Sequence, residues 1–273
     1  TAGLEAACTA AEVGCNTFLL EKGSELGGLA SLISKIPAKN RLADFPHYLM
    51  HRAEQLENLY IFTNTEGTPE NIRKFHPNII VSSTGSAPLL PPIAGLKDRI
   101  DNEDYNIYSI LGMINHINDF PKDLEGKKVV VVGGGAVGLD VVEFFADRNA
   151  DISIVEMMDQ IGRDLDPVSK NDTKAMMKKH NVHQLTKTAL LEVKDSSFLV
   201  KGDGEPYELP FEYGFVCLGM RAQGQLYQSL AEEFSSEDVE IMNIGDSQRA
   251  RRIIDGTQEG RNILTILEQR GYL

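Results

Sequence analysis

The chain has no tryptophan and only three cysteines, Cys8, Cys15 and Cys217, none of them in a C-x-x-C pair. That scarcity excludes a disulfide scaffold, a zinc ribbon and a four-cysteine cluster, each of which needs more thiols than are present. No apolar run reaches the roughly 18 residues of a membrane-spanning helix. There is no Walker loop and no G-x-S-x-G, so P-loop phosphoryl transfer and nucleophile-elbow hydrolysis lack their motifs. Positive charge is also short. Lys+Arg 27 against Asp+Glu 40 leaves a net charge of −13. Such a chain repels phosphate backbones and anionic bilayers, so neither nucleic acid nor a membrane is an expected partner. A small anionic cofactor stays possible, because the dipole at a helix N-terminus acts locally. Reduced thiols and the lack of a signal-peptide pattern lead us to expect a cytoplasmic protein. The chain opens on Thr1-Ala2-Gly3-Leu4-Glu5 without an initiator Met and already in helical pattern. It reads as a piece of something longer.

What is present is a dinucleotide cradle. At 273 residues, with 42% hydrophobic and 25% charged, the chain has room for two α/β domains. Lys127–Glu156 reads KKVVVVGGGAVGLDVVEFFADRNADISIVE. Val129–Val132 is a β-branched run suited to a buried parallel strand. G-x-G-x-x-G follows at Gly133, Gly135 and Gly138, then a helical stretch over 139–148 and a second strand, Ile152–Val155. In this pattern Gly133 permits a tight turn, Gly135 lets the backbone approach a pyrophosphate, and Gly138 lets helix and strand pack closely. Glu156, 23 residues beyond Gly133, stands where a carboxylate accepts the adenosine ribose hydroxyls. Met157 and Met158 follow it with no adjacent cation, which favours NADH over NADPH.

The N-terminus repeats the unit. Ala2–Gly27 lies over Val137–Gly162 without a gap at an offset of 135. Gly3 falls on Gly138, Glu5 on Asp140, Glu21 on Glu156 and Gly27 on Gly162. Thr17–Leu20 falls on Ile152–Val155. By the same offset the first strand and two loop glycines of this earlier copy would lie before Thr1, which we read as truncation.

Elsewhere the patterns predict a helix over 41–56, a strand at Asn78–Ser82 and a stiff connector through Pro88, Pro91 and Pro92. They also predict short helices at Tyr108–Ile117 and Pro167–His180 and an antiparallel meander over Leu190–Pro210. Gly214–Leu218 and Val239–Ile244 read as strands. A last helix is expected over Arg252–Arg270, burying Ile253, Ile254, Thr257, Ile263, Leu264 and Leu267. Asp246, at the end of a strand, can accept hydroxyls of a sugar or ribityl chain, or it can cap the last helix. Cys8 and Cys15 read as buried helix thiols, and Cys217 as packed within its strand. His180 and His183 lack further metal ligands nearby.

AGLEAA at Ala2–Ala7, LLEKGSELGG at Leu19–Gly28, STGSAPLLPPIAG at Ser83–Gly95, VVVVGGGAVGLDVVEF at Val129–Phe144 and NIGDSQRARRIIDGTQEG at Asn243–Gly260 together resemble the two-dinucleotide-binding flavoprotein reductases. Within these the wording is similar to the C-terminal part of 2-enoate reductases, 2,4-dienoyl-CoA reductase and trimethylamine dehydrogenase. The resemblance implies two Rossmann-like domains. An NADH domain at 101–224 would be inserted into an FAD-type domain at 1–100 and 225–273. It implies FAD contacts from Gly3, Glu21, Lys22, Gly28, Gly85 and Asp246. It implies NAD contacts from Gly133, Gly135, Ala136, Val137, Gly138, Glu156 and Gly219. FMN and a 4Fe-4S cluster would belong to an N-terminal barrel that this chain does not encode. The implied reaction passes a hydride from NADH to FAD and electrons onward. It needs no general acid or base, so no catalytic side chain is expected. With two loop glycines lacking, FAD is expected to bind poorly. A non-catalytic nucleotide-binding or interaction module, and another NADH reductase of the same two-domain fold, are the competing readings.

Overall fold

The computed structural model describes residues 1–273. Two compact units emerge, one from Thr1–Lys35, Lys39–Ala87 and Arg221–Leu273, the other from Ile36–Ala38 and Pro88–Met220. Unit 1 opens with α1 (Ala2–Glu12), β1 (Thr17–Leu20), α2 (Leu29–Ile33), α3 (Asp44–Glu54), β2 (Leu59–Phe62), α4 (Pro69–Arg73) and β3 (Ile79–Ser82). The chain crosses over along β4 (Ser86–Pro88). Unit 2 then runs through α5 (Leu96–Arg99), β5 (Ile107–Tyr108), α6 (Ile110–Asn115), β6 (Lys128–Val132), α7 (Ala136–Ala146), β7 (Asp151–Val155) and α8 (Pro167–Lys179). It continues with β8 (His183–Leu185), β9 (Ala189–Val193), β10 (Ser197–Lys201), β11 (Tyr207–Pro210) and β12 (Tyr213–Val216). After crossing back at β13 (Met220–Ala222), unit 1 closes with α9 (Gln225–Glu233), β14 (Glu240–Asn243), α10 (Ile253–Arg261) and α11 (Ile263–Gln269). These are two Rossmann-like α/β units, the second inserted into the first. The crossings fall ahead of 100/101 and 224/225, because the proline stretch already belongs to unit 2. Leu96 is fully buried in that unit's core and Ala94 bridges to Glu192.

Unit 2 holds a five-stranded parallel sheet in the order β5-β12-β6-β7-β8. Its central strand β6 buries all four residues of Val129–Val132, as a strand covered on both faces must. On one face α7 packs through Leu139, Val142 and Phe145. Phe145 meets Phe215 of β12 with ring centroids 4.8 Å apart. On the other face lies the antiparallel meander β9-β10-β11, whose Val193, Phe198 and Val200 close on Val130, Val132 and Val155.

Unit 1 pairs its strands differently. β1 lies parallel to β2 and β14 parallel to β3, as two separate ladders. In unit 2 the glycine-loop strand β6 stands between β12 and β7; in unit 1 no strand stands between β3 and β1. Helix α1 is buried from Leu4 to Ala11. It crosses α10 so tightly that a Cβ on Gly260 would lie 2.6 Å from the Ala2 carbonyl oxygen.

That crossing corrects the expected last helix. The segment breaks at Asn262 into α10 and α11. α10 turns Gly256 and Gly260 inward, which leaves Ile253 and Ile254 exposed, while Ile263 and Leu267 are buried as expected. The helix expected from Arg41 begins at Asp44 after a 3₁₀ turn at Pro37–Ala43, with Pro46 accommodated in its first turn.

Two cysteine expectations also need correction. Cys8 is fully buried, but Cys15 is only half-buried. Cys217 lies just beyond the end of β12, although its N–H still donates to the Val132 carbonyl at 2.7 Å. Burial pushes the Cys8 thiol up to about 11 and the Cys217 thiol up to about 12. At pH 8 Cys15 is therefore expected to react alone with a disulfide reagent, the other two only after unfolding. Because the Cys217 thiol stays neutral in the fold, its contribution is complete below about pH 9 and fades as pH rises toward 12. The loss is about 1.4 kcal/mol per pH unit. Cys217→Ala should show a correspondingly flatter alkaline unfolding profile.

Candidate functional site

The turn between β6 and α7 is built by close backbone contacts. Gly133 has φ +109°, and a Cβ there would sit 2.1 Å from the Cys217 carbonyl oxygen. A Cβ on Gly138 would sit 1.9 Å from the Gly133 carbonyl oxygen. Both are glycines because backbone occupies the space a side chain would take. Gly135 differs. It is exposed, has an ordinary φ of −79°, and a Cβ there would meet nothing within 4 Å. Open space therefore stands over the N-terminus of α7, where no side chain caps the helix. The first N–H groups, from Ala136, Val137 and Gly138, have no intrahelical acceptor and lie at the positive end of the dipole. These features fit a pyrophosphate.

Glu156 follows β7 directly and closes the rim. One carboxylate oxygen accepts the Gly134 N–H at 2.7 Å and the other accepts the Met158 N–H at 2.7 Å. A carboxylate has about four acceptor sites, so each oxygen can still take a hydroxyl. Gly162 N–H donates to the Gly134 carbonyl at 2.7 Å, tying the following turn to the glycine loop. The sequence analysis missed Gly134 and Gly162 as parts of this rim, although the offset of 135 had singled out Gly162. It also missed Lys187, whose N–H donates to the Met158 carbonyl at 2.9 Å. The rim beside Glu156 thus has an exposed lysine as neighbour. Gly219 has φ +105° and open space beside it, and its carbonyl accepts the Leu89 N–H.

Unit 1 assembles a partial counterpart. Glu21 follows β1 as Glu156 follows β7, and its carboxylate accepts the Gly23 N–H at 2.7 Å. Asp246 accepts Ser86 Oγ at 3.1 Å and the Arg251 N–H at 3.0 Å. It does not cap α10; Arg252 and Asp255 do that. Gly28 and Gly85 both have positive φ and open space beside them. Gly3 is the departure: a Cβ there would meet Ser83 Oγ at 2.2 Å, where Gly138 meets loop backbone. Lys22 is committed to Glu66 at 2.8 Å in solvent. Glu21 and Asp246 offer carboxylates, and Gly28 and Gly85 open backbone, suited to a nucleotide's sugar hydroxyls. Only unit 2 adds the complete glycine turn.

No group of three or more His, Cys, Asp or Glu is placed to hold a metal ion, and no helix is long and apolar enough to cross a membrane.

A family model described as pyridine nucleotide-disulphide oxidoreductase matches residues 1–242. Among curated proteins, an NADH oxidase from Thermoanaerobacter brockii is 26% identical over 95% of this chain and 38% of its own length. A metal reductase from Desulforamulus reducens is 27% identical over 96% of this chain and 42% of its own. Among solved structures, a 2-naphthoyl-CoA reductase superposes with a TM-score of 0.81 at 23% identity, over 96% of this chain and 38% of that one. The chain therefore spans about two fifths of the length of each.

Proposed function

This chain belongs to the pyridine nucleotide-disulphide oxidoreductase family, and from that premise we propose that it is the NADH-oxidising flavin module of a larger, 2-enoate reductase-like enzyme. The family and fold are those of FAD- and NAD(H)-dependent oxidoreductases. The observation that carries the reading is the complete Gly133–Gly138 turn with Glu156 at its rim.

In this reading Gly133, Gly135 and Gly138 shape the backbone that receives the NADH pyrophosphate. Ala136 and Val137 offer N–H groups at the head of α7, Glu156 holds the adenosine ribose, and Gly219 keeps the facing turn open. Gly3, Glu21, Lys22, Gly28, Gly85 and Asp246 serve FAD in unit 1. Bound by these residues, NADH would supply a hydride and FAD would take it up, with an FMN and iron–sulfur part outside these residues as the onward acceptor. The protein's task is to position and desolvate, with no side chain exchanging a proton.

The test is NADH-dependent reduction of a dye by the chain with and without added FAD, beside calorimetric titration with NADH. The expected result is saturable NADH binding, and dye reduction that requires added FAD. Glu156→Gln should weaken NADH binding by roughly 10-fold or more and narrow its preference over NADPH. NADH binding without dye reduction at any FAD concentration would favour the non-catalytic module, which the Ser83 hydroxyl beside Gly3 supports. Absence of NADH binding would end both readings.

A further inference from the structure

The parallel sheet of unit 2 changes character at one corner. Alternate residues of a strand share a face. On the meander side the register places Val132, Val155 and Leu185 in one row, Val130, Ser153 and His183 in the next, and Lys128 beside Asp151 at the rim. The meander packs on the first row and on Val130 of the second. Beyond it the cover ends at Leu209 and Pro210, and a cavity of about 200 Å³ opens, lined by the two outer rows. It lies at the amino ends of β6 and β7, whereas Gly133 and Glu156 follow their carboxyl ends. The nucleotide cradle and this cavity are therefore at opposite ends of the same strands.

The lining is chemically specific. Ser153 occupies a position where a doubly covered parallel strand calls for Val or Ile, and its hydroxyl makes no hydrogen bond. The Lys128 ammonium has no ion-pair partner. Asp151 Oδ1 lies 3.4 Å from His183 Nε2 on the other side. Val130, Leu209 and Pro210 supply apolar floor. A bare anion here meets Asp151, and a bare cation meets Lys128. A molecule carrying both charges satisfies both. The volume is below the roughly 300–1,000 Å³ of pockets for drug-sized ligands, which limits the occupant to a small molecule.

We propose that this corner is a second small-molecule site that takes a zwitterionic α-amino acid with an aliphatic side chain. The ligand's carboxylate lies on Lys128 and Ser153, its ammonium on Asp151, and its side chain on Leu209 and Pro210. The test is an ¹⁵N-resolved NMR titration of the full chain with L-leucine. Isopentylamine and 4-methylpentanoate serve as analogues that each keep one charge. Leucine should give saturable shifts at residues 128–130, 151–153, 183 and 209. Each analogue should bind at least about tenfold more weakly, since each forfeits one charge-assisted contact. Lys128→Met and Ser153→Ala should weaken leucine by a similar factor while NADH titrates both variants as it does the parent. Unsaturable leucine shifts, equal binding of all three compounds, or undiminished binding to Lys128→Met would overturn the proposal. Because NADH binding is read separately, failure here is distinct from failure of the nucleotide reading.

Discussion

Gly135→Ala is expected to leave the fold intact and to lower NADH affinity by roughly 100-fold or more, whereas Gly133→Ala loses affinity and stability together. The two glycines lie two residues apart in one turn, yet the space around them differs. A methyl on Gly135 meets no protein atom within 4 Å and needs no unusual backbone. Alanine there costs the fold up to about 1 kcal/mol as a poorer N-cap. The methyl instead enters the open space over the α7 N-terminus and holds a pyrophosphate away from the N–H groups. Two charge-assisted bonds lost at about 1.5–3 kcal/mol each give about 10²- to 10⁴-fold.

At Gly133 a methyl must share space with the Cys217 carbonyl carbon and oxygen, at φ +109°. The conformation alone costs an alanine about 1–2 kcal/mol, and the clash forces β12 and the loop apart. Thermal unfolding with calorimetric NADH titration separates the two outcomes. If Gly135→Ala binds NADH like the parent chain, the pyrophosphate does not sit on this turn.

Much of unit 2 was legible because local signals agreed. The run Val129–Val132, three glycines at fixed spacing and an acid after the second strand each have a separate physical cause, and all point to one turn. The repeat at offset 135 carried the same reading to α1, β1 and Glu21 without any glycine loop present. What escaped notice depended on contacts distant in sequence. No local pattern shows that Gly256 and Gly260 let α10 lie on α1, so the apolar residues Ile253 and Ile254 were assigned to the buried face. Prolines 88, 91 and 92 mark a boundary correctly, but not which side of it they pack on; burial of Leu96 against β9 decides that. The Glu156 carboxylate accepts backbone N–H groups of Gly134 and Met158, contacts that spacing does not reveal. Ser153 interrupts a strand whose pattern is otherwise apolar, and only the folded sheet shows the cavity it lines.

The second large effect concerns a carboxylate that sequence reading treated only as a repeat match. Glu5 lies within α1 with its side chain 3% exposed. It accepts Arg52 Nη1 from α3 at 2.9 Å, stands 3.1 Å from Arg261 Nε at the end of α10, and accepts the Thr9 hydroxyl at 3.3 Å. One buried charge thus joins three helices of unit 1. Arg52 is itself only 11% exposed and also holds Glu12. Glu5→Ala leaves this guanidinium buried with one carboxylate partner instead of two, and a cavity beside it. Breaking a buried pair costs about 3–5 kcal/mol; with Glu12 retained, about 3 kcal/mol is expected.

In urea the midpoint should fall with an unchanged m-value, because the surface exposed on unfolding is the same. Replacing both groups, as Glu5→Met with Arg52→Leu, should recover much of the loss, since no charge is then stranded. Glu12 offers the control. Its hydrogen bond to Arg52 holds its pKa below the usual glutamate value. Its contribution is therefore present above pH 4.5 and lost as pH falls further. At 42% exposure it is screened, and Glu12→Ala should cost less than about 1 kcal/mol. A Glu5→Ala midpoint no lower than that of Glu12→Ala would mean that solvent reaches the α1–α3–α10 junction, and that hydrophobic packing alone holds unit 1 together.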